Sequence, residues 1–168
     1  IDNNADSVYF GVEQLNMRAR ATVNFTMDDL KEIARRCEAK KVRSYLTLNT
    51  IIYDHDLSVV KTLLAKAKEA NITAVIASDQ AVIAMARGIG MEVHISTQLN
   101  ITNIETIRFY SLFADTMVLS RELSLRQVKK ITDDIEKEQV KGPSGNLVEI
   151  EIFGHGALCM AVSGKCYL

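Results

Sequence analysis

Tryptophan is absent from this sequence, proline occurs once, and glycine is scarce, at 8 of 168 residues. A chain so poor in breakers is not a low-complexity or linker-like polypeptide; with 48% hydrophobic residues it has an ordinary globular composition. Cysteine is also rare, and its count of three is odd, which argues against a secreted disulfide framework. No uninterrupted apolar run is long enough to cross a bilayer, and no signal-peptide pattern opens the chain. A cytoplasmic protein is therefore expected. Neither sign of charge dominates: the net charge of −1 gives no whole-chain signal for nucleic acid, although a local basic patch remains compatible with it. The length suffices for one domain with a real core, residues 1–168. The first residue is Ile1 and the last, Leu168, falls just after a cysteine pair. The expectation is a fragment of a longer protein, cut at both ends.

What is present is an alternation of short β-type runs with amphipathic helices. Ser7 to Phe10 reads as a strand closed by Gly11. Thr26 is a candidate N-cap, with Asp28 and Asp29 in the first turn and Leu30, Ile33, Ala34 and Cys37 on one helical face. Val42 to Leu48 is a strand. Asp56 is expected to cap a helix whose stripe is Val59, Val60, Leu63, Leu64 and Ala67. Thr73 to Ala77 is a strand, and Gln80 to Arg87 a short helix stopped by Gly88 and Gly90. Glu92 to Ile95 is a strand, Asn103 to Phe113 a helix, and Thr116 to Leu119 a strand. Ser124 and Gln127 have capping-box spacing at the head of a helix reaching about Lys137. Lys141 to Asn146 is the clear turn cluster. Leu147 to Phe153 is the last strand; its alternation puts Glu149 and Glu151 on one face and Ile150 and Ile152 on the other.

Strand alternating with helix argues for parallel strands joined by crossovers. The fold class is α/β. An open doubly wound sheet and a closed (β/α)8 barrel both fit, but no Gly-x-Gly-x-x-Gly follows the first strand. Polar residues stand at the carboxyl end of nearly every strand: Asn49, Asp79, Gln98, Glu122 and His155. A barrel mouth needs such a ring, since all its strands deliver residues to one face. A full barrel takes about 250 residues, so the expected architecture is a partial TIM-like barrel of about six consecutive βα units, truncated at both ends. Open edges would be expected to pair with another copy.

Chemistry is concentrated after the last strand, where Gly154-His155-Gly156 leads to Cys159 and Cys166. Spacing alone leaves these thiols open as structural residues or as metal ligands. His155 is a candidate proton donor, a neighbour of ligands, a base for a Cys159 thiolate, or simply a strand-end cap. Ser163 lies between the cysteines, but nothing like a nucleophile elbow surrounds it. Cys37 reads as a small buried hydrophobe. Glu149 and Glu151 are either an interior pair, one of them protonated or partnered by Arg20 or Arg121, or a solvated pair. Arg18 and Arg20 suit a carboxylate or phosphate, and equally an internal pairing with Glu13 or Glu122. Tyr9, Asn49, Asp79 and Gln98 are substrate-facing candidates by position alone. His55 and His94 read as structural or solvated. The basic run Arg35, Arg36, Lys40, Lys41 and Arg43 complements a helix end before it is an RNA patch.

The segment Glu151 to Cys166 closely resembles the signature of the collagenase-like peptidase family, peptidases of unassigned catalytic type. Val8-Tyr-Phe-Gly with Asn16 to Arg20, Tyr45 to Tyr53, Ser96 to Asn100 and Ser120 to Ser124 match it in the same order. The resemblance implies a TIM-like barrel and an enzyme. Some relatives are described as collagenases or proteases. Others take part in hydroxylating transfer RNA, ribosomal RNA or the ubiquinone ring, and several of these hold a [4Fe–4S] cluster. By that resemblance Cys159 and Cys166 are two cluster ligands in the full-length protein, the remaining ligands lying beyond Leu168. A structural Zn²⁺ or a disulfide is the lesser alternative. The implied function is an iron–sulfur enzyme supporting hydroxylation of RNA or a related substrate. The alternatives are a peptidase acting on polypeptides and a non-catalytic truncated domain. Catalytic roles are expected of His155, Glu122 and Glu151, and substrate binding of Arg18, Arg20, Asn49, Asp79, Gln98 and Arg121.

Overall fold

The structure is a computed structural model and describes residues 3–12, 15 and 25–156. The chain divides into two compact units, 1–93 and 94–168.

The first unit runs β1 (Ser7–Gly11), α1 (Leu30–Ala39), β2 (Arg43–Leu48), α2 (Leu57–Glu69), β3 (Ala74–Ala77) and α3 (Gln80–Gly88). Strands β1, β2 and β3 are parallel neighbours, with Tyr9 beside Tyr45 and Tyr45 beside Ala74. Parallel neighbours cannot be joined by a hairpin, so each return is made by a helix packed on the sheet. Leu46 and Leu48 of β2, Val75 and Ala77 of β3, and Val60, Leu63 and Leu64 of α2 are almost wholly buried. Each of the buried Leu and Val side chains contributes about 1.5–3 kcal/mol of burial. Helix α1 is entered through a one-turn 3-10 segment, Met27–Asp29, where the Asp29 carboxylate accepts from both the backbone N–H and the hydroxyl of Thr26, each at 2.8 Å. Asp56 is the N-cap residue of α2, as expected, but its side chain makes no capping bond to that helix. Its carboxylate instead accepts the Tyr53 N–H at 3.0 Å, closing a 3-10 turn just before α2 starts at Leu57.

Strand β4 (Glu92–Ile95) carries the chain into the second unit, where its residues His94 and Ile95 pair with β5 (Thr116–Val118). Helix α4 (Ile104–Tyr110), helix α5 (Leu125–Glu138) and strand β6 (Glu149–Glu151) complete it. β4, β5 and β6 are parallel, and Ile95, Ile101, Ile107, Met117, Leu119, Ile131 and Ile135 form the core. Asn103 caps α4 and Ser124 caps α5, the latter with the expected Gln127 capping box. Arg108 of α4 bonds both Glu105 and Glu138, tying α4 to α5.

Two expected elements are shorter in fact. The helix from Asn103 ends at Tyr110, since Phe113 N–H turns back to the Tyr110 carbonyl at 2.9 Å. The last strand starts at Glu149 because Leu147 is bridged to Lys141 and Val148 N–H donates to the Val140 carbonyl at 3.0 Å. That turn is pinned to Asp115, whose Oδ1 accepts from Ser144 N–H at 3.0 Å and from its hydroxyl at 2.7 Å. Parallel strands in chain order with alternating helices make this a partial (β/α) barrel fold carrying six of its strands.

Candidate functional site

Parallel strands place all their carboxyl ends along one edge, so that edge is where side chains from several strands meet. In the second unit, the ends of β4, β5 and β6 are stitched together by backbone. Leu119 N–H donates to the Glu151 carbonyl at 3.0 Å, Ser120 N–H to the Ile101 carbonyl at 3.0 Å, and the Thr97 hydroxyl to the Leu119 carbonyl at 3.3 Å. Gln98, Arg121, Glu122 and Glu151 all leave from this edge, and exposed His155 follows Glu151 on the same strand exit. Glu122, Arg121 and Glu151 are exposed, while Gln98 is half-buried.

Ser96, Thr97 and Gln98 act as one device. Ser96 opens the 3-10 turn Thr97–Leu99, and Asn100 closes it in the left-handed region at φ 53°. The buried Ser96 hydroxyl donates to Gln98 Oε1, which turns the Gln98 amide nitrogen away from Ser96. Sequence reading picked out Gln98 by position but missed the turn that orients it. A serine two residues before the glutamine was the available signal.

The strand register sorts the second unit's side chains by face. His94, Thr116 and Glu149 are level on one side, with Val118 and Glu151 at the next level. Ile95, Met117 and Ile150 share the other. His94 and Thr116 are buried, but Glu149 and Glu151 are both exposed. Of the two readings of the carboxylate pair, the solvated one fits, because β6 has a strand neighbour on one side only among the described residues.

In the first unit, Asn49 follows β2 and Asp79 follows β3. Asp79 is committed to the scaffold: its Oδ1 accepts from Ala81 N–H at 2.8 Å, capping α3, and its Oδ2 accepts from Ile52 N–H at 3.3 Å. The loop after β2 is thereby held to the end of β3. Tyr53 and His55 project from that loop as exposed, parallel rings with centroids 5.8 Å apart. Tyr9 lies at the sheet edge and lines a cleft of about 420 Å³ with Phe10, Phe25, Ile33 and Arg36.

Cys37 is buried on α1, and burial pushes its thiol pKa up, which disfavours the thiolate a metal needs. Arg35 and Arg36 of the basic run both donate to Glu32, at 2.8 Å each through Nε, and hold its carboxyl down at about 2. Among the described residues, no three His, Cys, Asp or Glu side chains are grouped to hold a metal ion. No helix among them is long and apolar enough to cross a membrane. Arg18, Arg20, Cys159 and Cys166 lie outside the described residues.

A polar rim at the carboxyl edge of parallel βα units is the working face of barrel-type enzymes. The family model for peptidase family U32 matches residues 1–168, and the chain belongs to that family. It is 57% identical over 164 residues to a collagenase of Porphyromonas gingivalis, an alignment covering 98% of this chain and 40% of that protein. It is 34% identical over 170 residues to tRNA hydroxylation protein P of Helicobacter pylori, covering 98% of this chain and 37% of that protein. Among solved structures, a U32 peptidase superposes with a TM-score of 0.63 at 14% identity, over 89% of this chain and 60% of that one, which shows the shared fold. The chain thus spans less than half the length of these curated relatives.

Proposed function

We propose that the full-length protein is an iron–sulfur enzyme that supports hydroxylation of RNA, with its working face at the carboxyl ends of β4, β5 and β6. The observation that carries this reading is the course of β6. It brings Glu151 to the rim beside Leu119, and His155, Cys159 and Cys166 come next in the sequence. A [4Fe–4S] cluster usually takes four thiolates. Cys37 is buried and a poor ligand; by the family resemblance Cys159 and Cys166 would be this chain's donors, and the remaining ligands would come from elsewhere in the full-length protein. The cluster would supply electron transfer. The chain's own residues would do the rest: Gln98 offers an oriented amide donor, Arg121 an anion partner, and Glu122, Glu151 and His155 proton-handling groups. Arg18 and Arg20, with Asn49, are assigned to substrate binding in the same reading.

Anaerobic purification of the full-length protein with iron and sulfide assays tests it. Iron bound by the wild type and lost on Cys159→Ala or Cys166→Ala supports the reading. No iron, with activity unchanged by Cys159→Ala, contradicts it. A second reading, a peptidase acting on denatured polypeptides, is favoured by the 57% identity to a protein named collagenase. Its test is cleavage of gelatin by highly purified protein, lost on His155→Ala or Cys159→Ala.

A further inference from the structure

The loop between β2 and α2 carries side chains that neither core nor rim uses. Ile51 is 71% exposed, Tyr53 61%, and the His55 side chain 81%. Apolar and aromatic groups left this open at the carboxyl end of a strand have little to do with stability. The backbone beneath them is nevertheless fixed at three points. Ile52 N–H donates to Asp79 at 3.3 Å, Tyr53 N–H to Asp56 at 3.0 Å, and Asp56 N–H to the Tyr53 carbonyl at 2.8 Å. The Tyr53 and His55 rings are parallel to within 1°, and His55 Nε2 lies 3.5 Å from Asp56 Oδ1. Two aromatic planes are therefore held in a common orientation and presented to solvent by a loop that costs little further entropy to order.

Building on the RNA reading above, we propose that Tyr53 and His55 form a stacking platform for an unpaired nucleobase of the RNA substrate. Bases in loops and single strands are recognised largely by stacking on aromatic side chains, which every base accepts through its π-face. The charge of the loop agrees with a base rather than a phosphate as the occupant. Asp54 and Asp56 flank the rings and repel the backbone, so the platform engages a base splayed away from it. The contact is consequently insensitive to salt, in contrast to one made by Lys or Arg.

The test uses the full-length protein and a stem-loop RNA carrying 2-aminopurine in the loop, with affinity read by fluorescence across a salt series. Tyr53→Ala and His55→Ala should each weaken binding about 10-fold and leave the salt slope unchanged. Tyr53→Phe should keep wild-type affinity, and Asp54→Asn should tighten binding slightly. Circular dichroism and urea midpoints matching the wild type exclude misfolding, which the exposure of both side chains makes unnecessary. Wild-type binding that both alanine variants retain overturns the platform alone. Loss on Tyr53→Phe overturns it in favour of a hydroxyl hydrogen bond. Gelatin binding lost in the alanine variants while RNA binding persists overturns the RNA assignment, and a wild type that binds no RNA overturns this inference together with the reading it rests on.

Discussion

The matching faces of the two units are made of different materials. On β2 and β3 of the first unit, the side shared by Tyr45, Thr47, Ala74 and Ile76 holds a buried cluster of Tyr45, Ala74 and Ile76. One side of β4, β5 and β6 in the second unit carries His94, Thr116, Glu149 and Glu151, with only Val118 apolar among the paired positions. The same βα repeat thus carries a packed apolar cluster in one place and a polar face in another. An apolar face stabilises by excluding water, whereas hydroxyls, imidazole and carboxylates on the other face must each keep a partner or solvent. In the proposed reading the second unit contributes Glu151 from a strand and Gln98, Arg121, Glu122 and His155 from the segments that follow its strands.

This contrast can be broken by substitution. Ile76→Ala should destabilise the full-length protein by about 2 kcal/mol in urea unfolding, since it empties part of a closed cluster. Glu149→Ala, removing an exposed side chain, should stay within about 0.5 kcal/mol. Equal losses at the two positions would erase the distinction. Gly142→Ala should come next, at about 1–3 kcal/mol. A Cβ there would lie 2.9 Å from the Asp115 Cα, a backbone atom that cannot step aside, and 2.3 Å from its carboxylate oxygen. Because that turn sets where β6 begins, the variant should also lower activity, and intact activity with lost stability would detach the turn from the rim.

The smallest effect concerns pH. Hydrogen bonds from Arg35 and Arg36 lower the Glu32 carboxyl from 4.5 to about 2. A depressed folded-state value means that this stabilisation is present above the ordinary carboxylate range and is lost as pH falls from about 4.5 through about 2. The group is solvent-exposed, so the effect is heavily screened. Glu32→Gln should slightly flatten the acid limb of a stability–pH curve, and an unchanged limb would show that the three-residue cluster contributes nothing.

Among the described residues each strand and α-helix was legible, because short β-type runs alternate with amphipathic helical patterns. The Ser124–Gln127 box and the burial of Cys37 could be read from spacing and from helical face. What local pattern could not supply were features decided by distant partners. Asp79 looked like a mouth residue, yet it accepts from Ile52, 27 positions earlier. Leu147 looked like strand, yet it closes a turn with Lys141. The Thr97–Leu99 turn was hidden because a single 3-10 turn leaves no hydrophobic period. The exposure of Glu149 and Glu151 depends on which strands flank β6, which alternation does not encode.

In the proposed function the carboxyl-end rim of β4, β5 and β6, Glu151 included, carries out the reaction while the buried cluster on β2 and β3 supports it. The most direct measurement is nucleoside mass spectrometry of RNA from cells lacking the gene and complemented with the full-length protein, its Glu151→Gln variant, or its Tyr45→Phe variant. Hydroxylated nucleoside should be restored by the wild type and by Tyr45→Phe, and reduced about 100-fold by Glu151→Gln. Full restoration by Glu151→Gln at equal protein level would contradict it.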